Sequence, residues 1–236
     1  MFRWMLVCAA SLLLVANTAQ DSWALLDEGR DAEALEQATQ ASAEGDAEAF
    51  AVLGAIYEDG RGVAPDQDKA AAFYKQGAAM GDPYSQWRLG VMIDLGQSKG
   101  APKDAVALFE KAAAAGNTSA MASLAVMHAT GRGVPQNFDK AWELYERTAH
   151  AGEPHGLFGL GVMHINGEGR PADKLAAAAC WLVAGLEGSE AARDAIVQVG
   201  PQLSEAQLER LVPDARKIAQ QYGFEGALAE LAELDR

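Results

Sequence analysis

Cysteine is nearly absent from this 236-residue chain: Cys8 and Cys180 are the only two. A chain that keeps one of them has no internal disulfide, so its stability must come from packing. Aromatic residues are equally sparse, at 7%, which argues against a β-sandwich built from aromatic and β-branched strands. Positive charge is scarce too. The 19 Lys and Arg face 33 Asp and Glu, giving a net charge of −14 and a pI near 4.6. Nucleic acid and anionic membrane surfaces are therefore poor partners.

Catalytic signatures are missing as well. There is no G-x-S-x-G, no S-x-x-K nucleophile, no Walker loop and no H-E-x-x-H. Nothing implies a cofactor or a metal. His128 and His164 stand 36 residues apart in one column, but two histidines without an accompanying acid are too few ligands. They read as core or rim residues hydrogen-bonded to an aromatic of the following helix, while His150 and His155 flank a turn and face solvent. The G-R-G-V stretches lack the strand and the glycine count of a phosphate cradle, so they read as turns. Asn117-Thr118-Ser119 would accept N-glycosylation only in a eukaryotic secretory host.

What the chain has in abundance is repetition. Leu53, Leu89, Leu124 and Leu160 are spaced by 36, 35 and 36 residues. Gly60, Gly96, Gly131 and Gly167 keep the same steps, and so, to within one residue, do Gly81, Gly116, Gly152 and Gly188. Tyr74, Phe109, Tyr145 and Trp181 add an aromatic column. A period of this size marks an elongated repeat array rather than one or two ordinary domains. Met92, Met127 and Met163 form a further column, read as core.

Within the first full unit, Ala49, Phe50, Leu53, Ile56 and Tyr57 recur at helical spacing and Gly60 stops the helix. The loop G-R-G-V-A-P-D-Q-D follows, and a second helix is expected over 69–80 with Asp68 as its N-cap. The unit at 82–116 lacks the G-x-G-V element, the unit at 117–152 restores it, and the unit at 153–188 shortens its loop. Residues 25–45 read as an N-terminal cap with a helix over 31–44. Residues 189–236 break the period and read as a C-terminal cap with helical segments at 189–199, 204–212, 214–222 and 225–234, Ser204 and Gln207 forming a capping box.

The N-terminus has the features of a secretory leader: Arg3, an apolar run over 4–16 too short to span a bilayer comfortably, then small residues. Cleavage is expected after Ala19 or after Ala24, with 1–24 taken as the leader; an uncleaved membrane anchor is the other reading. Cys8 falls inside the apolar run, too early for a lipoprotein site, and leaves Cys180 alone, flanked by Ala179 and Trp181, as a small buried residue. The destination is then periplasmic or secreted, in a bacterium.

The unit at 49–81 carries Leu53, Gly54, Tyr57, Gly60, Gly62, Val63, Asp66, Lys69, Ala70, Tyr74, Ala78, Ala79 and Gly81. In this it resembles the Sel-one-like repeat, a subclass of the tetratricopeptide-like solenoids, and the resemblance extends over 46–188. It implies an all-α fold, a right-handed α-solenoid of stacked antiparallel helix pairs, and a protein-binding scaffold rather than an enzyme. Exported bacterial members act in envelope assembly, signalling and toxin neutralisation, so an effector-neutralising (immunity) or envelope regulatory role is implied. Some cysteine-rich exported members of this repeat class are penicillin-binding β-lactamases. A cell-wall or β-lactam hydrolase is thus the alternative, although the disulfide inside every repeat of those proteins is missing here.

By similarity with tetratricopeptide arrays, the first helix of each unit lines the concave groove. Positions −5, −2, +2, +5 and +6 from each landmark Leu share one stripe. The expected partner-binding residues are Glu48, Glu58 and Asp59 in unit one, Tyr84, Trp87 and Asp94 in unit two, and His155 and Phe158 in unit four. Large aromatics in a groove are typical anchors, with packing against the cap or a neighbouring helix as the competing role. No Lys or Arg falls on the stripe. A protein or peptide partner that is apolar with basic flanks, bound without stable membrane insertion, is the expectation.

Overall fold

The computed structural model describes residues 19–234, which carry thirteen α-helices, a short 3-10 turn at Gly200–Gln202 and no strand. They run α1 (Ala19–Asp27), α2 (Asp31–Ala43), α3 (Ala47–Asp59), α4 (Gln67–Met80), α5 (Pro83–Asp94), α6 (Pro102–Ala114), α7 (Thr118–Thr130), α8 (Phe138–His150), α9 (Pro154–Asn166), α10 (Lys174–Leu186), α11 (Glu190–Val199), α12 (Glu205–Tyr222) and α13 (Glu225–Glu233). Each repeat is a pair, helix A then helix B: α3–α4, α5–α6, α7–α8 and α9–α10. Two compact units divide at residues 99 and 100.

Many of the helix ends are marked by a specific residue. Side chains of Asp46, Asp66, Asp82, Asn117, Asn137, Asp173 and Ser189 accept from backbone N–H groups of the first turn, satisfying donors that a helix leaves orphaned. Asp66, not the expected Asp68, caps α4, because that helix begins at Gln67. Gly60, Gly131 and Gly167 close α3, α7 and α9 in the left-handed conformation, which costs glycine nothing.

In the first unit, α1 to α5, the core joins Ala19, Leu26, Ala34, Ala38, Ala41, Ala49, Val52, Leu53 and Ile56. Alanines dominate, so the helices approach closely. Gly54 takes this furthest: a Cβ there would lie 2.4 Å from the ring of Tyr74. The paired Leu-Gly of the repeat is thus a slot for the helix B aromatic. In the second unit Gly161 does the same for Trp181, where a Cβ would meet the indole at 2.3 Å.

In three of the four repeats the G-x-G loop fastens onto a helix before it. A Cβ on Gly62 would reach 3.1 Å from Asp31, and Arg61 donates from Nε to Asp31 Oδ1 at 2.9 Å. In the second unit, a Cβ on Gly133 would meet the Pro102 backbone at 2.6 Å, and one on Gly169 would meet Phe138 at 3.0 Å. The partner is each time the start of a preceding helix: α2, α6 or α8. The loop after α5 carries Gln97 and Ser98 in place of Arg and Gly, and among the described residues no non-glycine residue has positive φ. That loop cannot take the same path.

The second unit runs from α6 to α13. Phe109, Met127, Leu144, Leu157, Met163 and Val183 are essentially inaccessible. Its C-terminal part departs from expectation. The segments read as 204–212 and 214–222 form one 18-residue helix, α12, with Pro213 inside it. The Ser204–Gln207 capping box is present, with Gln207 N–H donating to Ser204 Oγ at 3.3 Å and Ser204 N–H to Gln207 Oε1 at 3.0 Å. Downstream of the proline, Asp214 accepts from both Arg210 and Lys217, at 3.0 and 2.9 Å. Helix α13 is held at both ends: Glu187 Oε1 accepts from Ala227 N–H at 2.5 Å, and Arg216 donates to the carbonyl of Leu231 at 3.1 Å.

Candidate interaction site on the first helices of the repeats

On the first unit, α1, α4 and α5 assemble an aromatic row. The Tyr84 ring meets Trp23 edge-on with centroids 5.3 Å apart, meets Trp87 at 5.5 Å and tilts against Tyr74 at 6.2 Å. Arg88 lies over the Trp87 ring, 5.1 Å from its centroid, a geometry that attracts a cation to the ring face. On α3, Ala51 and Ala55 are buried.

Glu58 anchors the polar side of this row. Its carboxylate accepts from Tyr74 Oη at 2.8 Å and from Arg88 Nε at 3.1 Å, and Arg88 Nη2 pairs with its other oxygen. The Glu58 and Arg88 side chains keep only 15% and 23% of their exposure, so the pair is largely desolvated. Burial, with Tyr84 and Glu58 beside it, pushes the Tyr74 hydroxyl well above its ordinary range. It stays protonated and donates. Burial also raises the Tyr84 hydroxyl, against the pull of Arg88.

The expected stripe is corrected here on two points. Glu58 is no free carboxylate waiting for a basic partner, since Arg88, one position off the stripe, reaches across from α5 and neutralises it. Tyr84 is no free anchor either: half-exposed like Trp87, its ring already packs against Trp23, Tyr74 and Trp87. What remains accessible in the first unit is the half-exposed Trp87, the exposed Glu48 and Asp59, and the half-exposed Asp94. Partial desolvation raises the Glu48 carboxyl above its usual range, the charges of Asp46 and Asp82 add to that, and a hydrogen bond from Trp23 opposes it. An approaching cation would relieve this crowding.

In the second unit, Phe158 is half-buried and tilts against Trp181 at 6.5 Å, while its carbonyl accepts from the Trp181 indole at 3.1 Å. It packs as much as it presents. His155 is exposed one turn earlier. Around Phe158, α9 offers the half-buried Val162 and Ile165, and α7 offers Ala122 and the exposed Val126. None of these carries charge.

Trp23 and Arg88 escaped the sequence reading. Trp23 precedes the first recognisable repeat and so has no register, and Arg88 joins the site through the length of its side chain. The one available signal was the placement of Arg88 directly beside Trp87.

Other titratable groups play internal roles. His164 meets Trp142 edge-on at 4.9 Å rather than through the expected hydrogen bond, and the Nδ1 atoms of His164 and His128 are buried. Burial lowers the His164 pKa, with Asp173 opposing and Arg170 reinforcing. Burial, aided by Asp173, pushes the Cys180 thiol up to about 12, too high for a nucleophile. Among the described residues no group of three or more His, Cys, Asp and Glu is placed to hold a metal ion, and no helix is long and apolar enough to cross a membrane.

The comparisons agree with this architecture. Two solved structures share the fold. One is a protective antigen present in uropathogenic Escherichia coli strains and displaying an SLR fold, with a TM-score of 0.78 and 23% identity over 92% of this chain. This chain spans only 49% of that protein. The other is a Sel1 repeat protein from Oxalobacter formigenes, with a TM-score of 0.62 and 21% identity over 77% of this chain and 75% of its own. At such identities the likeness shows the fold alone, an SLR-type all-α solenoid. No curated protein matches the sequence. The Sel1 repeat model matches residues 47–82, 83–117, 118–153 and 154–189. Proteins of this kind are generally protein–protein interaction scaffolds and typically not catalysts. With well over half its length in four matched repeats, the chain belongs to the Sel1 repeat family.

Proposed function

We propose that this chain is an exported scaffold that binds a protein or peptide partner through the first helices of its repeats, acting in the bacterial periplasm or outside the cell. The observation that carries the reading is Trp87: a large aromatic left half-exposed, with Arg88 over its ring, and with the exposed carboxylates of Glu48 and Asp59 on the neighbouring first helix. Such a surface suits an apolar segment with basic flanks, its side chain against the indole and its Lys or Arg towards the carboxylates. The uncharged Phe158 and Val162 in the second unit suit an apolar stretch.

The role served by binding follows from the partner. A secreted effector would make the chain an immunity protein, whereas an envelope enzyme or assembly factor would make it a regulator. The decisive experiment is capture with the tagged chain beside Trp87→Ala, with helicity checked by circular dichroism. We expect the mutant to keep its helicity and to lose at least tenfold in affinity for the captured partner. Equal binding by both would remove the first unit's face from the reading.

A further inference from the structure

A leader peptidase could act at two places, after Ala19 or after Ala24, and the tripeptide S-W-A at 22–24 is the better match to a small-x-small site. The fold distinguishes them. Six of the nine residues of α1 lie at 19–24. Ser22 is fully buried. Trp23 packs on the core of the first unit, sets its ring against Tyr84 and bonds to the Glu48 carboxyl. A cut after Ala24 would leave Leu25, Leu26 and Asp27, too few residues to hold a helical turn.

What α1 covers makes the loss larger. Ala34, Ala38 and Val52 are wholly inaccessible, and Leu26, Trp23 and Leu25 close the cluster over them. The first repeat of a stacked array has no predecessor, so a terminal element must cover its open face. The end of α1 is secured as well, since Arg61 donates to the carbonyl of Leu26 and the Arg30 N–H donates to that of Leu25 at 2.8 Å. The partner-facing row also depends on Trp23. A cut after Ala19 gives up that one core alanine, keeps Ser22, Trp23, Leu25 and Leu26 in place, and lies three residues past the apolar run rather than eight.

We propose that the leader is removed after Ala19, so that Gln20 begins the exported chain, a proposal that rests on the export reading above. Water adds across the Ala19–Gln20 peptide bond in the host's leader peptidase, leaving a carboxylate on Ala19 and an α-ammonium on Gln20. Asp46, whose Oδ2 accepts from the Ala19 N–H at 3.2 Å, and Asp21 in the first turn offset that new charge at the helix start.

The test is the intact mass of the full chain, expressed with a C-terminal tag in a Gram-negative host and recovered by fractionation. The expected mass is that of a chain starting at Gln20 in the periplasmic fraction. A chain starting at Leu25 would overturn the cut and leave export standing. A chain keeping Met1 outside the periplasm would overturn both. Two variants tighten the result: Ala19→Leu should accumulate precursor, because the peptidase needs a small residue there. Ala24→Leu, at an exposed position, should be processed as before. The opposite pattern sinks the proposal.

Discussion

At the scale of single residues, the Glu58–Arg88 pair has the most to lose. Removing one member of a largely buried ion pair strands the other's charge, at about 3–5 kcal/mol when burial is complete. With 15% and 23% exposure remaining, Arg88→Ala should cost about 2–3 kcal/mol in urea unfolding. Glu58→Gln, which still accepts from Tyr74, should cost less, and the double mutant should show coupling. Additivity of the two changes would mean the pair is a surface contact. His164 governs a pH response. Its folded pKa lies below the unfolded value near 6.5, so the unfolded chain binds the proton more readily. Stability is then full above about pH 6.5 and lost as pH falls towards the folded value. His164→Gln should flatten that acid slope, and an unchanged slope would assign it to the carboxylates.

At the scale of the elements, helices were legible to the extent that repetition stated them. Four columns in one register located the eight repeat helices, and their ends follow from Asp, Asn and Gly at recurring places. The C-terminal helices have no such register. Pro213 reads as a break because proline removes a helical hydrogen bond, but here ion pairs around Asp214 and the packing of Ala215 and Ala219 carry α12 through it. Pro213→Ala should therefore stabilise the helix, by up to about 3 kcal/mol less about 0.4–1 kcal/mol of unfolded-chain entropy. A destabilised variant would show that the proline shapes α12 usefully. Glu187→Ala removes the cap on α13 and should cost about 1 kcal/mol, appearing as faster hydrogen exchange confined to 225–233. The candidate site was half legible for a related reason. Helical spacing placed Trp87 on its face correctly, but a periodic rule sees only Cα positions, so it missed Arg88 reaching Glu58 and Trp23 arriving from outside the period.

At the scale of the whole molecule, stability is a sum of repeats and of the fastenings between successive repeats. Three of the four repeat loops carry the second glycine that fits against the start of a preceding helix, and the loop after α5 does not. Gln97→Arg with Ser98→Gly should restore the fastening within the first unit, where Asp68 near the start of α4 would take the place Asp31 has for Arg61. We expect a higher midpoint of thermal unfolding for the double variant, and no gain would show that this loop's path is set by more than these two positions.

One buried atom gives these experiments a built-in clock. In a chain beginning at Gln20, Cys180 is the sole thiol, enclosed in α10 and held protonated to about pH 12. A thiol reagent will therefore pass over the folded protein and mark only molecules whose second unit has opened. The rate of labelling, followed by mass, reports that opening directly in native buffer, without a probe, a denaturant or an engineered site.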